Sequence, residues 1–237
     1  NKLSKNLKMF NIRTDLKMCK FMFDEGPATN LARTFVTKFN LRTCILNFAD
    51  PWIDPIGFTN GKDSQEDSLM RQTSLYVTLK KNKIYKENQD LNDGYYNDSM
   101  IYSSRVPVFR SPLKERLLSI NEVFEVSIIT AFPPDLHTSK TEKVGNKVYI
   151  NPIDVDSTLK NRLRKMFLLA AECKNNGLIV ALDGPLLSKT NSNTWINALK
   201  ELLGSEGLGK LFKTVGFAKH GKDSTIYKDL CDAFKNI

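Results

Sequence analysis

The feature that most constrains this chain is the alternation of short, almost purely apolar runs with longer segments of helical period. Residues 43–49 (TCILNFA), 123–131 (VFEVSIITA), 178–182 (LIVAL) and 213–218 (KTVGFA) carry little polar alternation, the pattern of strands buried on both faces. Residues 28–39 instead place Leu31, Ala32, Phe35, Val36 and Phe39 at helical spacing. So do residues 64–79, through Leu69, Thr73, Tyr76 and Val77, and residues 157–174, through Leu159, Leu163, Met166, Phe167 and Ala170. Further helices are expected at 195–203 and 224–234. Residues 80–99 are polar and read as a long surface loop. Residues 100–109 read as an edge strand, because Pro107 would interrupt a central one. Residues 138–152 read as a loop with a short strand at 147–150. Strand and helix in alternation predict an α/β fold, a three-layer sandwich with a mixed, largely parallel sheet, helices on both faces and ligand sites at the strand ends.

With 237 residues, 41% of them hydrophobic, the chain can bury one sizeable core, and no run approaches the roughly 18 apolar residues of a membrane span. Lys and Arg outnumber Asp and Glu by 35 to 26, which favours polyanionic partners. The lysines are scattered, however, and there is neither an arginine-rich recognition helix nor a zinc-knuckle spacing, so dedicated nucleic-acid binding is not expected. Cys19, Cys44, Cys173 and Cys231 lie far apart in sequence and read as free thiols in a reducing compartment, hence a soluble intracellular protein. His137 and His220, the two histidines, are too separated for a histidine-based triad or zinc site. The stretch 188–190 lacks P-loop spacing. No metal or cofactor is called for.

The chemistry concentrates after the strand at 43–49. The chain leaves it through the breakers Asp50-Pro51 and Asp54-Pro55 and enters a helix at Ser64, an N-cap residue with Asp67 three positions on. A strand, an irregular loop and a helix N-terminus in sequence can hold a phosphate or ribose on backbone N–H groups. Glu66 and Asp67 are adjacent acids in the first helical turn. There they either offset the helix dipole, at about 0.3–1 kcal/mol each, or form an acid pair. Such a pair suits glycosidic cleavage, in which a protonated carboxyl assists the leaving group and then activates water, and mutual repulsion with burial keeps a proton near neutral pH. Asp50 and Asp54 would contact a ribose or a substrate arginine, or serve as turn residues.

The stretch 47–76 resembles the signature of microbial poly(ADP-ribose) glycohydrolases. The matching positions are Asn47-Phe48-Ala49, Gly57-Phe58, Gly61, Gln65-Glu66-Asp67, Leu69, Arg71, Ser74 and Leu75-Tyr76. Residues 100–110, 126–133, 178–182, 212–218 and Phe234 are similar to later blocks of that family in the same order, so the likeness runs from Ala28 to Phe234. It implies a macrodomain-like fold over residues 28–237 after an N-terminal extension of 1–27. It also implies an ADP-ribosyl hydrolase acting on poly(ADP-ribose) or on a modified side chain such as Arg, without a cofactor. The alternatives are a non-catalytic ADP-ribose reader and a protein-interaction module. The implied site has Glu66 positioning the ribose and Asp67 as general acid/base, with Asn47, Asp50, Asp54, Gly57, Phe58, Gly61, Gln65 and Gly184 lining it and Asp24 placed for the adenine amino group. The family's triple glycine stands here as Pro55-Ile56-Gly57, its second glutamate as Asp67, and its later glycine-rich loop as Asp183-Gly184-Pro185. Asp67 is one methylene shorter than Glu, so its carboxyl falls about 1.5 Å back, and a misplacement near 1 Å can cost about a hundredfold in rate.

Overall fold

A computed structural model describes residues 17–52, 58–59, 61, 64–91, 93–111, 116–135, 142–144, 147–149, 152–182, 192–219 and 225–235. Strand β1 (Lys20–Asp24) is followed by helix α1 (Ala28–Thr37) and strand β2 (Thr43–Phe48). Three short helices come next, α2 (Gln65–Gln72), α3 (Leu75–Leu79) and α4 (Ile84–Leu91), then strands β3 (Ile101–Val108) and β4 (Phe124–Ala131). A small hairpin, β5 (Glu142–Val144) with β6 (Lys147–Tyr149), precedes the long helix α5 (Pro152–Glu172) and strand β7 (Gly177–Leu182). Helix α6 (Ser192–Lys200), a π turn (Glu201–Ser205), a 3-10 turn (Leu208–Leu211), strand β8 (Thr214–Lys219) and helix α7 (Thr225–Phe234) complete the order.

Six strands form one sheet in the order β1-β8-β7-β2-β4-β3. Every neighbouring pair is parallel except β3 with β4. The apolar runs read from the sequence occupy the middle: β2 and β7 are buried along their whole length, as strands covered on both faces must be. Their alternate residues feed two cores. Cys44, Leu46, Leu178, Val180, Val215 and Phe217 pack under α5, α6 and α7. Ile45, Ile128, Ile179 and Ala218 pack under α1 and the α2–α4 group. Helix α1 lies close on the sheet because two strand positions lack side chains. A Cβ on Gly216 would stand 2.5 Å from Leu31 Cδ2, and one on Gly177 2.9 Å from Phe35 Cδ2.

Four expectations need correction. Residues 20–24 were assigned to an N-terminal extension, yet β1 pairs with β8 from Lys20–Thr214 to Asp24–Ala218, so the folded sheet begins upstream of Ala28. The helix expected over 64–79 is two helices. Thr73 leaves the helical path to bridge Val108, while its hydroxyl donates to Leu69 O at 2.7 Å and accepts from Leu75 N at 3.1 Å, ending one helix and starting the next. The polar stretch 80–99 contains α4, which buries Ile84, Tyr85 and Asn88. The helix expected from 157 begins five residues earlier, at Pro152. The edge reading of β3 stands, with Pro107 opposite Glu125 on a strand that has one partner.

The four cysteines are free. No helix among the described residues is long and apolar enough to cross a membrane.

Candidate functional site

Because β1, β8, β7, β2 and β4 are parallel, their carboxyl ends share one edge of the sheet. The segments beginning after Asp24, Phe48, Ala131 and Leu182 all start there. This is where open parallel sheets bind ligands. Asn47 sits near the end of β2, on the face that Ile45 gives to the α1–α4 layer, in register with Thr130 of β4. Its amide donates to Thr130 Oγ1 at 3.2 Å and to Glu66 Oε1 at 2.9 Å. Its carbonyl oxygen Oδ1 is buried and meets no donor among the described residues. A buried acceptor without a donor costs about 1–3 kcal/mol.

Helix α2 presents the acids. Ser64 starts it with a reciprocal capping box. Asp67 N donates to Ser64 Oγ at 3.1 Å, while Asp67 Oδ2 accepts from Ser64 N at 3.0 Å and from Ser64 Oγ at 2.6 Å. Gln65 anchors the same turn to the sheet through Nε2, which donates to Leu46 O at 2.9 Å. Glu66 is 5% exposed, and its Oε1 accepts from Tyr85 Oη at 2.6 Å as well as from Asn47. Burial pushes the Glu66 carboxyl up from 4.5 to about 7. The Tyr85 and Asn47 hydrogen bonds oppose this, while the charges of Asp67 and Asp50 reinforce it. The Tyr85 hydroxyl is held protonated, chiefly by burial and then by the charge of Glu66.

Tyr85 was not anticipated, because it lies on α4, inside the segment read as a polar loop. Its ring stands edge-on to Phe132, centroids 5.0 Å apart. Phe132 follows β4, and its carbonyl is bound by Arg162 of α5, which also donates to Tyr96 O at 3.2 Å and pairs with Asp98 at 3.3 Å. The residue pair Ile84-Tyr85 followed by Asn88 is the one sequence signal of that helix.

The remaining predicted residues divide. Asp50 Oδ1 accepts from Trp52 N at 2.9 Å, the turn bond of one reading, and its charge also acts on Glu66 and Tyr85. Gly61 has φ +75°, a left-handed backbone that favours glycine, and open space where a Cβ would be. The ring of Phe58 packs on Tyr76, centroids 5.2 Å apart, and lines a groove with Arg71 and Phe109. Asp24 accepts from Gly26 N at 2.6 Å and Asn30 Nδ2 at 2.9 Å, joining β1 to α1. It stands at the carboxyl edge three strand spacings from Asn47, roughly 14 Å. Asp54, Gly57 and Gly184 lie outside the described residues.

Comparison with known proteins agrees with this architecture. Two solved poly(ADP-ribose) glycohydrolases share the fold. That of Deinococcus radiodurans in complex with ADP-ribose has 22% identity and a TM-score of 0.79, covering 99% of this chain and 92% of the other. That of Thermomonospora curvata has 24% identity and a TM-score of 0.81, covering 99% and 82%. A second crystal form of the Deinococcus radiodurans enzyme with ADP-ribose, at 25% identity and a TM-score of 0.74, covers 92% and 83%. No curated protein matches the chain in sequence. Residues 12–111 match the family described as microbial-type PARG, catalytic domain, and over nearly its whole length the chain has the mostly parallel α/β fold of the bacterial poly(ADP-ribose) glycohydrolases.

Proposed function

We propose that this chain hydrolyses an ADP-ribosyl bond, with Glu66 as the group that delivers and recovers the proton. The observation that carries this reading is a buried glutamate held near pKa 7 at the start of α2, beside a second acid and at the carboxyl edge of the parallel sheet. A carboxyl that is half protonated at neutral pH can protonate the departing oxygen or nitrogen as its bond to the ribose carbon breaks. The carboxylate left behind then takes a proton from the water that attacks that carbon, restoring Glu66 and releasing ADP-ribose. Asn47 Oδ1 offers the acceptor that a ribose hydroxyl needs. Asp24, roughly 14 Å along the same edge, marks the other end of a ligand that spans four strands.

This division of labour reverses the one the family likeness implied. Asp67 Oδ2 already serves Ser64, and as a carboxylate Asp67 both secures the helix start and favours retention of the Glu66 proton. The same capping geometry favours a second reading, a reader that binds ADP-ribose without turnover. Release of ADP-ribose from polymeric and Arg-linked substrates, measured beside a binding titration, separates the two. The hydrolase reading expects turnover by the wild type, and binding without turnover by Glu66→Gln. Tight binding with no hydrolysis on any linkage establishes the reader, and binding weaker than about 1 mM excludes both. Asp67→Ala decides between the acids: a small residual loss of rate fits a capping residue, whereas abolished turnover with ADP-ribose affinity retained returns the proton-transfer role to Asp67.

A further inference from the structure

A guanidinium is rarely taken out of water unless its donors are met. Arg162 of α5 is 3% exposed. It donates through Nη1 to Phe132 O, through Nη2 to Tyr96 O at 3.2 Å, and through Nε and Nη2 to Asp98 Oδ1, both at 3.3 Å. Two of the three acceptors are main-chain carbonyls, one just past β4 and the other in the connection from α4 to β3, so this buried cation fastens backbone from two separate parts of the chain. Lys165, three residues further along α5, holds the second oxygen of Asp98. The fastening reaches Tyr85 through Phe132, whose ring lies edge-on to Tyr85 at 5.0 Å and to Tyr96 at 6.4 Å. The connection is also tied to the helix that carries Tyr85, since Asn97 N donates to Asn88 Oδ1 at 2.8 Å. Tyr85 is thus backed by a ring and a loop that Arg162 holds, and its hydroxyl reaches Glu66 Oε1 at 2.6 Å.

We propose that Arg162 is a positioning residue for the acid: by fixing Phe132 and the 96–98 segment, it holds the Tyr85 hydroxyl on the Glu66 carboxyl. The Tyr85 bond favours the carboxylate, so a Tyr85 free to withdraw leaves Glu66 protonated to higher pH. The groups that act on Glu66 are Tyr85 from α4, Asn47 from β2, Asp67 from its own helix and Asp50 from the loop after β2. The carboxylates that act on Arg162 are Asp98 and Asp93. The link from Arg162 to Glu66 therefore runs through contact with Tyr85 and not through charge. Its effect on Glu66 follows from geometry alone, whereas its effect on rate rests on the hydrolase reading.

The test replaces Arg162 by Lys, which keeps the charge but cannot serve three acceptors in a fixed fork, and separately Asp98 by Ala, which removes one acceptor. The Asp98 side chain is 50% exposed, so that variant keeps the core and decides the matter alone if Arg162→Lys does not fold. In each background the urea stability of the protein is compared with that of its Glu66→Gln counterpart as pH rises. The pH at which the difference levels off reports the folded-state titration of Glu66 without any need for turnover. It is expected to move up by about half to one unit in Arg162→Lys, the worth of a weakened hydrogen bond to a carboxylate, and in the same direction by less in Asp98→Ala. In Tyr85→Phe protein the same replacements should move it no further, because the bond through which they act is already gone. A levelling pH that stays fixed in the folded variants, or a shift that persists undiminished beside Tyr85→Phe, overturns the proposal. With polymeric or Arg-linked ADP-ribose as substrate, the alkaline limb of the pH–rate profile should move by the same amount. The expected stability shift without turnover on any linkage sinks the hydrolase reading and upholds the positioning role.

Discussion

Replacing Glu66 by Gln is expected to stabilise the fold at alkaline pH relative to the wild type, and the size follows from its burial. In the native chain the carboxyl rises from 4.5 to about 7, so the folded form binds its proton more tightly than the unfolded chain does. The stability held in that proton is fully present below about 4.5. It is lost as pH rises through 7, because above that value folding must bury a charge. At about 1.36 kcal/mol per pKa unit, the difference between pH 4.5 and pH 8.5 approaches 3 kcal/mol. Glutamine keeps an oxygen for the Tyr85 hydroxyl and the Asn47 amide but does not titrate. Subtracting variant from wild type also cancels the buried Cys19 and Cys44, which burial pushes upward.

The assay is urea denaturation of both proteins at constant ionic strength across pH 4.5 to 8.5. The free-energy difference between them should grow in favour of the variant by about 2–3 kcal/mol across this window, with its midpoint between the unfolded and folded pKa values. A difference that stays constant would mean that Glu66 titrates in the folded chain as it does in the unfolded one. The argument that it holds a proton at neutral pH would then be refuted, whatever the protein's activity.

Tyr85→Phe removes a donor to the Glu66 carboxylate at 2.6 Å and should raise the carboxyl further above 7. If the protonated group starts the reaction, the alkaline limb of the pH–rate profile moves to higher pH. An unmoved limb with an altered KM alone would show that Tyr85 only shapes the pocket. Ser64→Ala removes the hydroxyl that accepts from Asp67 N and donates to Asp67 Oδ2, leaving only the backbone half of the capping box, and should cost about 1–2 kcal/mol in thermal or urea denaturation, with Ser64→Thr recovering most of it. Gly216→Ala drives a methyl to within 2.5 Å of Leu31 Cδ2 and 2.9 Å of Phe35 Cζ and should cost about 1–3 kcal/mol through overpacking. Leu31→Ala in the same protein should restore part of that loss, which a double-mutant cycle would read as coupling between the two positions.

How much of this was legible in the sequence depends on how much each element buries. The runs that became β2, β4, β7 and β8 sit inside the sheet, where burial demands apolar side chains at nearly every position, and they announce themselves. Edge and peripheral elements bury less and write less. Strand β1 has one neighbour and half-buried side chains, so KFMFD reads as part of an N-terminal extension. Helix α4 buries a single turn's worth of side chains, too few to establish a period. The break at Thr73 is silent because α3 resumes the apolar face of α2, and only the bridge from Thr73 to Val108 reveals that the chain has turned. The acids themselves were legible, since adjacent carboxyls after an N-cap are a local pattern. What separates their roles was not. The atoms that distinguish Glu66 from Asp67 are Tyr85 Oη, brought in from a helix 19 residues away, and Ser64, which occupies Asp67. A titration behaviour set by such approaches belongs to the folded chain: burial raises the Glu66 carboxyl, while the neighbouring Asp67 caps the helix through Ser64.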